Sequence, residues 1–451
     1  MNPNQTNRPV WCDDSGGVWV IDQRLLPHRF ETMPIRTVAD MIHAIQGMVV
    51  RGAPLIGVCG AYGMALAARQ ARDHINPPLA LEELSGLLRT ARPTAVNLRW
   101  AVDRVSATLQ NQADPQQWPD AALAEARLIE EAEVVRCRSI GKFGLEPIRA
   151  VHGRHPERPV QVLTHCNAGW LACIEYGTAT APIYAAHEAG IPVHVWVDET
   201  RPLNQGARLT AWELARAGVP HTVIVDNAGG HLMQQGMVDL VIVGADRVSR
   251  NGDAANKIGT YLKALAAFDN GIPFYVAIPS TTIDWEISDG LSGIPIEKRD
   301  PDEVRYVEGL DGDRRVRVRV TPEGSPAMNP AFDVTPARLI TGLITEKGIC
   351  QAEEASISGL FSRNPVSKKQ HRAMEEPNDF QIDGLERPGK PPRELEWIVA
   401  AFMPILRHIK KRFERMEMAL QDLCIGQKDL SNRLGLMEKR MDNFEVQVDN
   451  E

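Results

Sequence analysis

Hydrophobic residues recur at helical spacing through most of the first 150 positions of the chain. This spacing predicts helices at 38–49, 55–69, 81–89, 95–109 and 120–142. The second of these segments is apolar nearly all round and contains three glycines, which predicts a buried helix with close backbone packing. Residues 17–35 contain two strand patterns around a proline-containing turn. The sequence therefore predicts a mainly helical N-terminal domain, residues 1–150, with a small β element.

A different pattern begins after residue 150, where short apolar runs alternate with helical spacing. Strands are predicted at 160–164, 193–197, 222–225, 240–243 and 274–278. Helices are predicted at 170–189, 209–217, 257–268 and 338–346, with a short turn at 234–235. Val- and Ile-rich strands between helices are typical of a parallel sheet covered on both faces. We therefore predict a Rossmann-like catalytic domain at 151–350, and an overall α/β fold class. No G-x-G-x-x-G follows its first strand, which argues against a dinucleotide cofactor.

The last hundred residues have a third pattern. Residues 351–393 are polar and rich in charge, Pro and Gly, which predicts a linker with little fixed structure. Residues 394–451 then carry a heptad repeat in which one core position, Gln427, is polar. Such a repeat predicts a coiled-coil helix, through which the chain would form a homodimer or a higher homo-oligomer. The alternative is a single helix that docks on the globular body.

Composition excludes several classes of protein. The net charge of −8 argues against a general nucleic-acid binder. No apolar run approaches the roughly 18 residues of a membrane span, and the N-terminus lacks the pattern of a secretory signal. The seven cysteines are scattered without C-x-x-C spacing, which favours reduced thiols and offers no zinc site. We therefore expect a cytoplasmic protein with no metal ion.

Two chemically active side chains follow predicted strands. Cys166 comes directly after the strand at 160–164, and Asp246 follows the strand at 240–243. Ligands bind at this carboxyl edge of open parallel sheets. A helix beginning after Cys166 would lower the pKa of its thiol, although a buried structural cysteine is an equal alternative. His165 is adjacent to Cys166 and would face the other way, so a Cys–His pair is not expected.

The Asp246 carboxyl group is a candidate proton donor. A carboxyl group at the end of a buried strand is partly desolvated, which raises its pKa and keeps it protonated. The alternatives are that Asp246 caps a helix or forms a salt bridge with Arg247. The position of Asp246 at the end of a buried strand is the only basis in the sequence for the role of proton donor.

Basic and amide side chains near helix starts indicate an anionic ligand. Arg51, Gly52 and Ala53 precede a predicted helix, and Arg92 lies before another. Free N–H groups at a helix start and two forked guanidinium groups would suit a phosphate, although local salt bridges are the alternative. Gln205 lies in a loop at the carboxyl edge of the sheet, and Asn256 and Lys257 open a predicted helix. Together they favour a sugar phosphate as the ligand.

Six ordered motifs resemble one enzyme family. RGAPLIGVCGAYG, RPTAVNLRWA, THCNAGWLA, ETRPLNQGARLTAWEL, VGADRVSRNGDAANKIGTY and NPAFDVTP resemble the methylthioribose-1-phosphate isomerase family over about residues 10–350. This family shares its fold with non-enzymatic regulatory subunits of the initiation-factor nucleotide-exchange complex. The resemblance implies that Cys166 and Asp246 are the catalytic cysteine and the proton-donor aspartate. It implies that substrate is bound by Arg51, Gly52, Ala53, Arg92, Gln205, Asn256 and Lys257. The tail after about residue 351 departs from the family pattern.

The resemblance also implies a reaction, in which 5-methylthioribose 1-phosphate becomes 5-methylthioribulose 1-phosphate in methionine salvage. The anomeric oxygen of this aldose is esterified, so Asp246 would protonate the ring oxygen to open the ring. Hydrogen would then move from C2 to C1 as a proton, with Cys166 as base, or as a hydride, with Cys166 stabilising the transition state. One alternative is an isomerase for ribose 1,5-bisphosphate or 5-deoxyribose 1-phosphate. The other is a non-catalytic regulatory protein that binds a sugar phosphate or nucleotide.

Overall fold

A computed structural model describes residues 8–92 and 94–361 of the chain. The chain divides into two units, residues 1–366 and 367–451, and all described residues belong to the first unit. The predicted coiled coil at 394–451 and most of the predicted linker at 351–393 lie outside the described residues. Among the described residues, no helix is long and apolar enough to cross a membrane.

The N-terminal part is mainly helical, as predicted. Its antiparallel sheet contains β1 (Val10–Cys12), β2 (Val18–Ile21) and β3 (Thr32–Ile35). Its helices are α1 (Val38–Gln46), α2 (Ala53–Arg72), α3 (Pro77–Arg89), α4 (Val96–Gln110) and α5 (Trp118–Arg154). Helix α2 packs against α1, α3, α4 and α5, and nearly all of its residues are buried. A Cβ atom at Gly57 would lie only 3.0 Å from the Asn97 carbonyl oxygen, which confirms the close backbone packing expected here.

Helix α5 is much longer than its predicted counterpart. It continues through Pro147 to Arg154, although a proline in a helix interior removes one hydrogen bond. Its first half, from Trp118 to Ile129, packs into the N-terminal core. Its second half, from Ile140 to Val151, packs into the core on one face of the central sheet. The helix therefore crosses the boundary expected at residue 150.

The second part of the fold begins with alternating strands and helices. In chain order these are β4 (Val160–Thr164), α6 (Ala181–Glu188), β5 (Val193–Asp198), α7 (Ala211–Arg216), β6 (His221–Ile224), α8 (Ala228–Gln234), β7 (Leu240–Val243), β8 (Arg247–Ser249), β9 (Ala254–Lys257), α9 (Thr260–Asp269) and β10 (Phe274–Ala277). The remaining elements are β11 (Ile283–Asp284), α10 (Gly290–Gly293), α11 (Asp302–Arg305), β12 (Tyr306–Asp311), β13 (Arg314–Arg319), β14 (Phe332–Thr335), β15 (Gly342–Thr345), β16 (Gly348–Cys350) and α12 (Glu354–Phe361).

These strands form one large sheet and two smaller ones. The large sheet has the order β16-β15-β10-β7-β4-β5-β6, and only β16 runs antiparallel to its neighbour. Apolar cores cover both of its faces, which confirms the parallel-sheet prediction. The order β11-β8-β9-β14 defines a second sheet, and β12 and β13 form an exposed hairpin.

Several helix predictions in this part were wrong. Between 170 and 189 the chain makes one 3-10 turn, Trp170–Ala172, and α6 begins only at Ala181. The segment 338–346 contains strand β15 and not the predicted helix. Its apolar residues, such as the fully buried Leu343 and Ile344, also fit the spacing of a helical face. Helix α7 is preceded by a π-helical stretch, Gly206–Thr210, and the turn expected at 234–235 is the end of helix α8.

The helix expected at 257–268 begins later, at Thr260. Asn256 and Lys257 belong to β9, where they pair with Asp333 and Phe332 of the antiparallel strand β14. Gly259 then takes a left-handed conformation with φ of 103°, which separates the strand from the helix. The two side chains therefore do not lie at a helix N-terminus.

Candidate functional site

Two neighbouring strands bring the candidate catalytic residues to one edge of the sheet. Strands β4 and β7 are paired in parallel through Leu163 and Val241, so their carboxyl ends meet. Cys166 follows β4 and Asp246 follows β7. The backbone N–H of Asp246 donates to the Ala255 carbonyl (2.9 Å), which places β9, and with it Lys257, at the same edge.

The backbone of Cys166 is held in an unusual conformation. Its φ angle is 65°, in the left-handed region that non-glycine residues seldom occupy. Its N–H donates to the Thr200 hydroxyl (2.8 Å), and its carbonyl accepts from the Thr210 hydroxyl (2.7 Å). Both threonines are buried. The expected helix N-terminus beside Cys166 is absent, because the following residues form a loop. Two side-chain hydroxyls thus fix the position of the thiol.

His165 is turned away from Cys166. Its Nδ1 lies 2.8 Å from an Asp198 carboxylate oxygen, and its Nε2 lies 2.9 Å from the Ile258 carbonyl oxygen. Both ring nitrogens are therefore occupied, and His165 cannot serve Cys166 as a base. His165, Asp198 and Asp226 lie close enough to hold a metal ion. However, the Lys263 ammonium already lies 3.2 Å from Asp198, so a cation is present in this cluster.

The Asp246 carboxyl group has the raised pKa expected of a proton donor. Burial raises its pKa, while the positive charges of Lys257, Arg92 and Arg51 lower it to a lesser extent. No hydrogen bond or ion pair to its side chain occurs within residues 8–92 and 94–361. The Arg247 guanidinium contacts the Asp284 carboxylate (3.1 Å) and the Thr94 carbonyl (2.8 Å). The structure therefore gives Asp246 a desolvated environment among cations.

Lys257 lies beside both candidate catalytic groups. Burial lowers the pKa of its ammonium, while negative charge on Cys166 or Asp246 raises it. Its Nζ lies 4.4 Å from the centre of the Phe332 ring, a cation–π distance. The neighbouring Asn256 is also buried, and its amide donates to the Thr260 hydroxyl (3.0 Å). Strand β9 thus supplies a cation and an amide to the sheet edge.

Two buried arginines, Arg51 and Arg92, approach this edge from the N-terminal part. The Arg51 guanidinium donates to the side-chain oxygen of Asn167 and to its backbone carbonyl (2.5 Å for the latter). Arg92 donates to Glu297 (3.1 Å) and approaches the Met48 sulfur (3.4 Å), whereas its Nε has no partner within the described ranges. Both arginines act on the pKa of Asp246, so they lie near it.

The backbone between Arg51 and helix α2 is tightly packed. Gly52 has a φ of 98° and precedes Ala53, the first residue of the helix. A Cβ atom at Gly52 would lie 2.5 to 2.7 Å from the Cβ, carbonyl oxygen and Cα of Ala172. Ala172 belongs to the loop that follows Cys166. The start of α2 and the Cys166 loop are therefore in direct contact.

A cavity of about 500 Å³ opens beside Arg51. Gln205 lines it, but Cys166, Asp246, Arg92, Asn256 and Lys257 are not among its lining residues. Its positive side chains are Arg24, Arg51, Arg208, Arg299, Arg315 and Arg317, and its negative ones are Asp302, Glu303 and Glu308. The cavity therefore has a net positive charge, which would attract an anionic ligand.

Comparison with known proteins identifies the family. Residues 49–352 match the model of the initiation factor 2 subunit family. The chain is 58% identical to a methylthioribose-1-phosphate isomerase of Desulfatibacillum aliphaticivorans over 364 residues, which cover 80% of this chain and 99% of that protein. It is 56% identical to the enzyme of that name from Rhodospirillum centenum, over 78% of this chain and 94% of that protein. The chain belongs to the methylthioribose-1-phosphate isomerase family.

Solved structures agree with this assignment. The 5-methylthioribose 1-phosphate isomerase of Pyrococcus horikoshii has a TM-score of 0.68 at 38% identity, covering 80% of this chain and 97% of that one. The initiation factor eIF-2B subunit delta from A. fulgidus has a TM-score of 0.62 at 38% identity, with 79% and 100% covered. The isomerase fold is thus shared with proteins named as initiation factors.

Several residues that shape this isomerase-family site were not predicted from the sequence. Gln23 lines the cavity, is buried, and donates its amide to the Leu171 carbonyl (2.7 Å), while its side-chain oxygen has no partner within the described residues. The side-chain oxygen of Gln205 is likewise unpartnered there. Gln23 follows a strand of the small N-terminal sheet, and no motif marks it. Thr200 and Thr210, by contrast, lie inside a quoted motif and could have been found.

Proposed function

We propose that this chain isomerises 5-methylthioribose 1-phosphate to 5-methylthioribulose 1-phosphate in methionine salvage. The observation that carries this proposal is the desolvated Asp246 carboxyl group with a raised pKa near Lys257, which is also near Cys166. A chain that only binds ligands has no need of a buried acid and a conformationally fixed thiol at one edge. Identities of 56% to 59% to proteins named as this isomerase support the same conclusion.

Asp246 begins the reaction as an acid. The substrate has a phosphate ester on its anomeric oxygen, so its ring cannot open through a free hemiacetal. Protonation of the ring oxygen makes that oxygen a neutral leaving group, and the bond between it and C1 breaks. The electron pair stays on the oxygen, which becomes a hydroxyl, and C1 becomes electron-deficient. A raised pKa keeps Asp246 protonated for this step.

Hydrogen transfer then converts the aldose into the ketose. In the first route the Cys166 thiolate removes the proton from C2, giving an enol, and C1 is protonated as the C2 hydroxyl becomes a ketone. In the second route the hydrogen moves from C2 to C1 with its electron pair, and Cys166 stabilises the transition state. In both routes the C2 hydroxyl loses its proton, which can restore the acid form of Asp246. No cofactor takes part in this scheme.

The remaining expected residues bind the substrate. Arg51, with the backbone of Gly52 and Ala53, and Arg92 hold the phosphate through charged and N–H donors. Lys257 lies where it can neutralise developing negative charge. Gln205 and Asn256 suit the sugar hydroxyls, because the side-chain oxygen of Gln205 is buried without a partner in the described part. These roles are supported by the positions of the residues at or near the carboxyl edge of the large sheet.

One observation favours a second substrate, ribose 1,5-bisphosphate. Six arginines line the cavity against three carboxylates, and a second phosphate would bind in such a place. The same cavity also contains apolar side chains, namely Leu25, Met48, Leu203 and Leu209, which suit a methylthio group. The two substrates therefore need to be compared directly.

Phosphorus and carbon NMR of the full chain tests both substrates without added metal. We expect methylthioribose 1-phosphate to give the ketose phosphate, and the product to disappear with Asp246→Asn. Faster conversion of ribose 1,5-bisphosphate would replace the proposed substrate. Saturable binding without conversion of either compound would leave a regulatory function.

We also propose an organisation for the whole chain. Residues 1–150 and 151–350 form the N-terminal and catalytic domains, which helix α5 joins without a break. Residues 351–393 form a linker whose first part, contrary to the expectation of little fixed structure, contains helix α12 with Ile357 buried in the core. Residues 394–451 form a coiled-coil helix that gives a homodimer or a higher homo-oligomer. The heptad repeat supports this assembly, and the scattered free cysteines suit the cytoplasm. Deletion of 394–451 should lower the number of subunits per particle, measured by light scattering, and leave turnover nearly intact. An unchanged number of subunits would contradict the assembly role.

A further inference from the structure

A fully buried carboxylate, Glu213 of helix α7, lies behind the Cys166 loop. It accepts hydrogen bonds from the Asn167 side-chain amide (2.9 Å) and from the backbone N–H groups of Trp170 (2.9 Å) and Leu171 (3.1 Å). The Tyr184 hydroxyl also donates to it (3.4 Å). The Asn167 amide and the two backbone N–H groups can only donate, so they favour an ionised carboxylate, which is an acceptor at every lone pair.

Asn167 connects this carboxylate to Arg51. A side-chain amide has one donor end and one acceptor end. Because the donor end of Asn167 faces Glu213 and the Thr210 hydroxyl (3.2 Å), its oxygen faces the Arg51 guanidinium. Loss of the negative charge at Glu213 would remove the main reason for this orientation. A flipped amide would present N–H groups to the cation and would push the guanidinium away.

The backbone contacts of Glu213 act on the same place. They hold residues 170 and 171, and the next residue, Ala172, packs against Gly52 at the start of α2. Gly169 also approaches Glu213 so closely that any Cβ there would overlap its carboxylate. Glu213 therefore acts on the Arg51–Gly52 segment indirectly. One route runs through the Asn167 side chain to Arg51, and the other runs through the backbone of residues 170–172 to Gly52.

We propose that Glu213 is a positioning residue that, through Asn167, holds the Arg51 guanidinium where it binds the phosphate of the substrate. The residue does not touch the substrate. This inference rests on the proposed function, in which Arg51 binds a phosphate. A merely structural buried glutamate would change stability, whereas a positioning residue changes the affinity of the site for a dianion.

The protonation of Glu213 gives the proposal a pH dependence. Burial raises its pKa to about 7, while the bonds from Asn167, Leu171 and Trp170 and the charge of Arg51 lower it. The Asn167 amide and the two backbone N–H donors favour the ionised form, so the network is strongest above this pKa and weakens as the pH falls through about 7. The other titratable groups around Glu213 are Cys173 and Glu175 of the loop, Tyr176, Tyr184, His187 and Glu188 near or on α6, and Arg216 of α7.

The first test uses sulfate as the probe, because its charge does not change across neutral pH. We expect the affinity of the full-length wild-type protein for sulfate to fall about tenfold as the pH drops through about 7, and to be low and flat in Glu213→Gln. Glu130→Gln is the matched control, since Glu130 is also buried but bonds to Arg8 and Tyr62. A wild-type affinity for sulfate that does not change with pH would overturn the proposal even if Glu213→Gln failed to fold.

Steady-state kinetics with methylthioribose 1-phosphate provide the second test. We expect Glu213→Gln to raise KM about tenfold or more with little change in kcat, and to add nothing in an Arg51→Ala background. Equal loss of kcat, or additive effects of the two substitutions, would contradict the positioning role. If the wild-type protein does not convert this substrate, the proposed function fails, while the sulfate titration still decides the role of Glu213.

Discussion

The contact between Gly52 and Ala172 gives the sharpest prediction for a single substitution. In Gly52→Ala the new Cβ would lie 2.5 to 2.7 Å from three atoms of Ala172, two of them backbone atoms that cannot rotate away. The backbone would also keep a φ of 98°, which an alanine rarely adopts. The substitution therefore combines overpacking with conformational strain at the proposed phosphate site.

Each effect has a known size. Overpacking of a tight interior costs about 1–3 kcal/mol, and holding a non-glycine residue in a sparsely populated backbone region costs about 1–3 kcal/mol. We therefore expect Gly52→Ala to lower the free energy of unfolding by about 2–6 kcal/mol. If the Cys166 loop shifts to relieve the contact, part of this loss appears as a raised KM.

Urea unfolding and steady-state kinetics measure the two outcomes together. The control is Gly86→Ala in helix α3, where a Cβ would have no neighbour within 4 Å. That change should stabilise the protein by about 0.5–1 kcal/mol, because alanine favours the helix. A Gly52→Ala protein with wild-type stability and wild-type KM would refute the reasoning, since it would mean that the contact yields without cost.

Three further predictions concern the chemistry. Asp246→Asn should lower kcat by several orders of magnitude while substrate binding survives. In the wild type, kcat should fall as the pH rises through the raised pKa of Asp246, because only the protonated carboxyl group can donate the proton. Rate assays across pH measure both outcomes. Cys166→Ser should also lower kcat by several orders of magnitude, and near-normal turnover would remove the thiol from the mechanism. Thr210→Val removes the hydroxyl that donates to the Cys166 carbonyl and accepts from the Asn167 amide, and it should destabilise the fold by about 1–2 kcal/mol in urea unfolding. It should both lower kcat and raise KM, because Cys166 and, through Asn167, Arg51 lose support. The control Thr222→Val removes an exposed hydroxyl on the edge strand β6 that is hydrogen-bonded to the His194 ring, and it should change neither kcat nor KM.

Much of the architecture could be predicted from the sequence, because the hydrophobic pattern along the chain agrees with the way these residues pack in the fold. Strands β4 and β7 have the predicted bounds, since their apolar residues pack into the cores on both faces of the sheet. Their chemistry could also be located, because polar residues that directly follow buried parallel strands must lie at the ligand-binding edge.

Where pattern and packing disagree, the sequence was misleading. Strand β9 reads Ala-Ala-Asn-Lys, four residues that are all depleted in strands, and only its pairing with β14 and β8 makes it one. In β15 the apolar residues are a short buried run that helical and strand spacing explain equally well. The loop after Cys166 was read as a helix for the same reason.

Side chains that reach the site from far along the chain were the hardest to find. Gln23 approaches the Cys166 loop by bonding to Leu171, 148 positions away, and nothing in its local sequence indicates this contact. Glu213 lies in a motif, but its role depends on Asn167 and Arg51, which only the three-dimensional structure brings together.

The long helix α5 has a consequence for how the molecule can move. Its first half belongs to the N-terminal core and its second half to the core of the large sheet, with no break between them. The two cores therefore meet within one continuous helix, between Ile129 and Ile140, so a clamshell motion between them would have to bend or break α5. Backbone amides in the middle of α5 should exchange with solvent only when both cores open, which couples the unfolding of the two halves into one cooperative event.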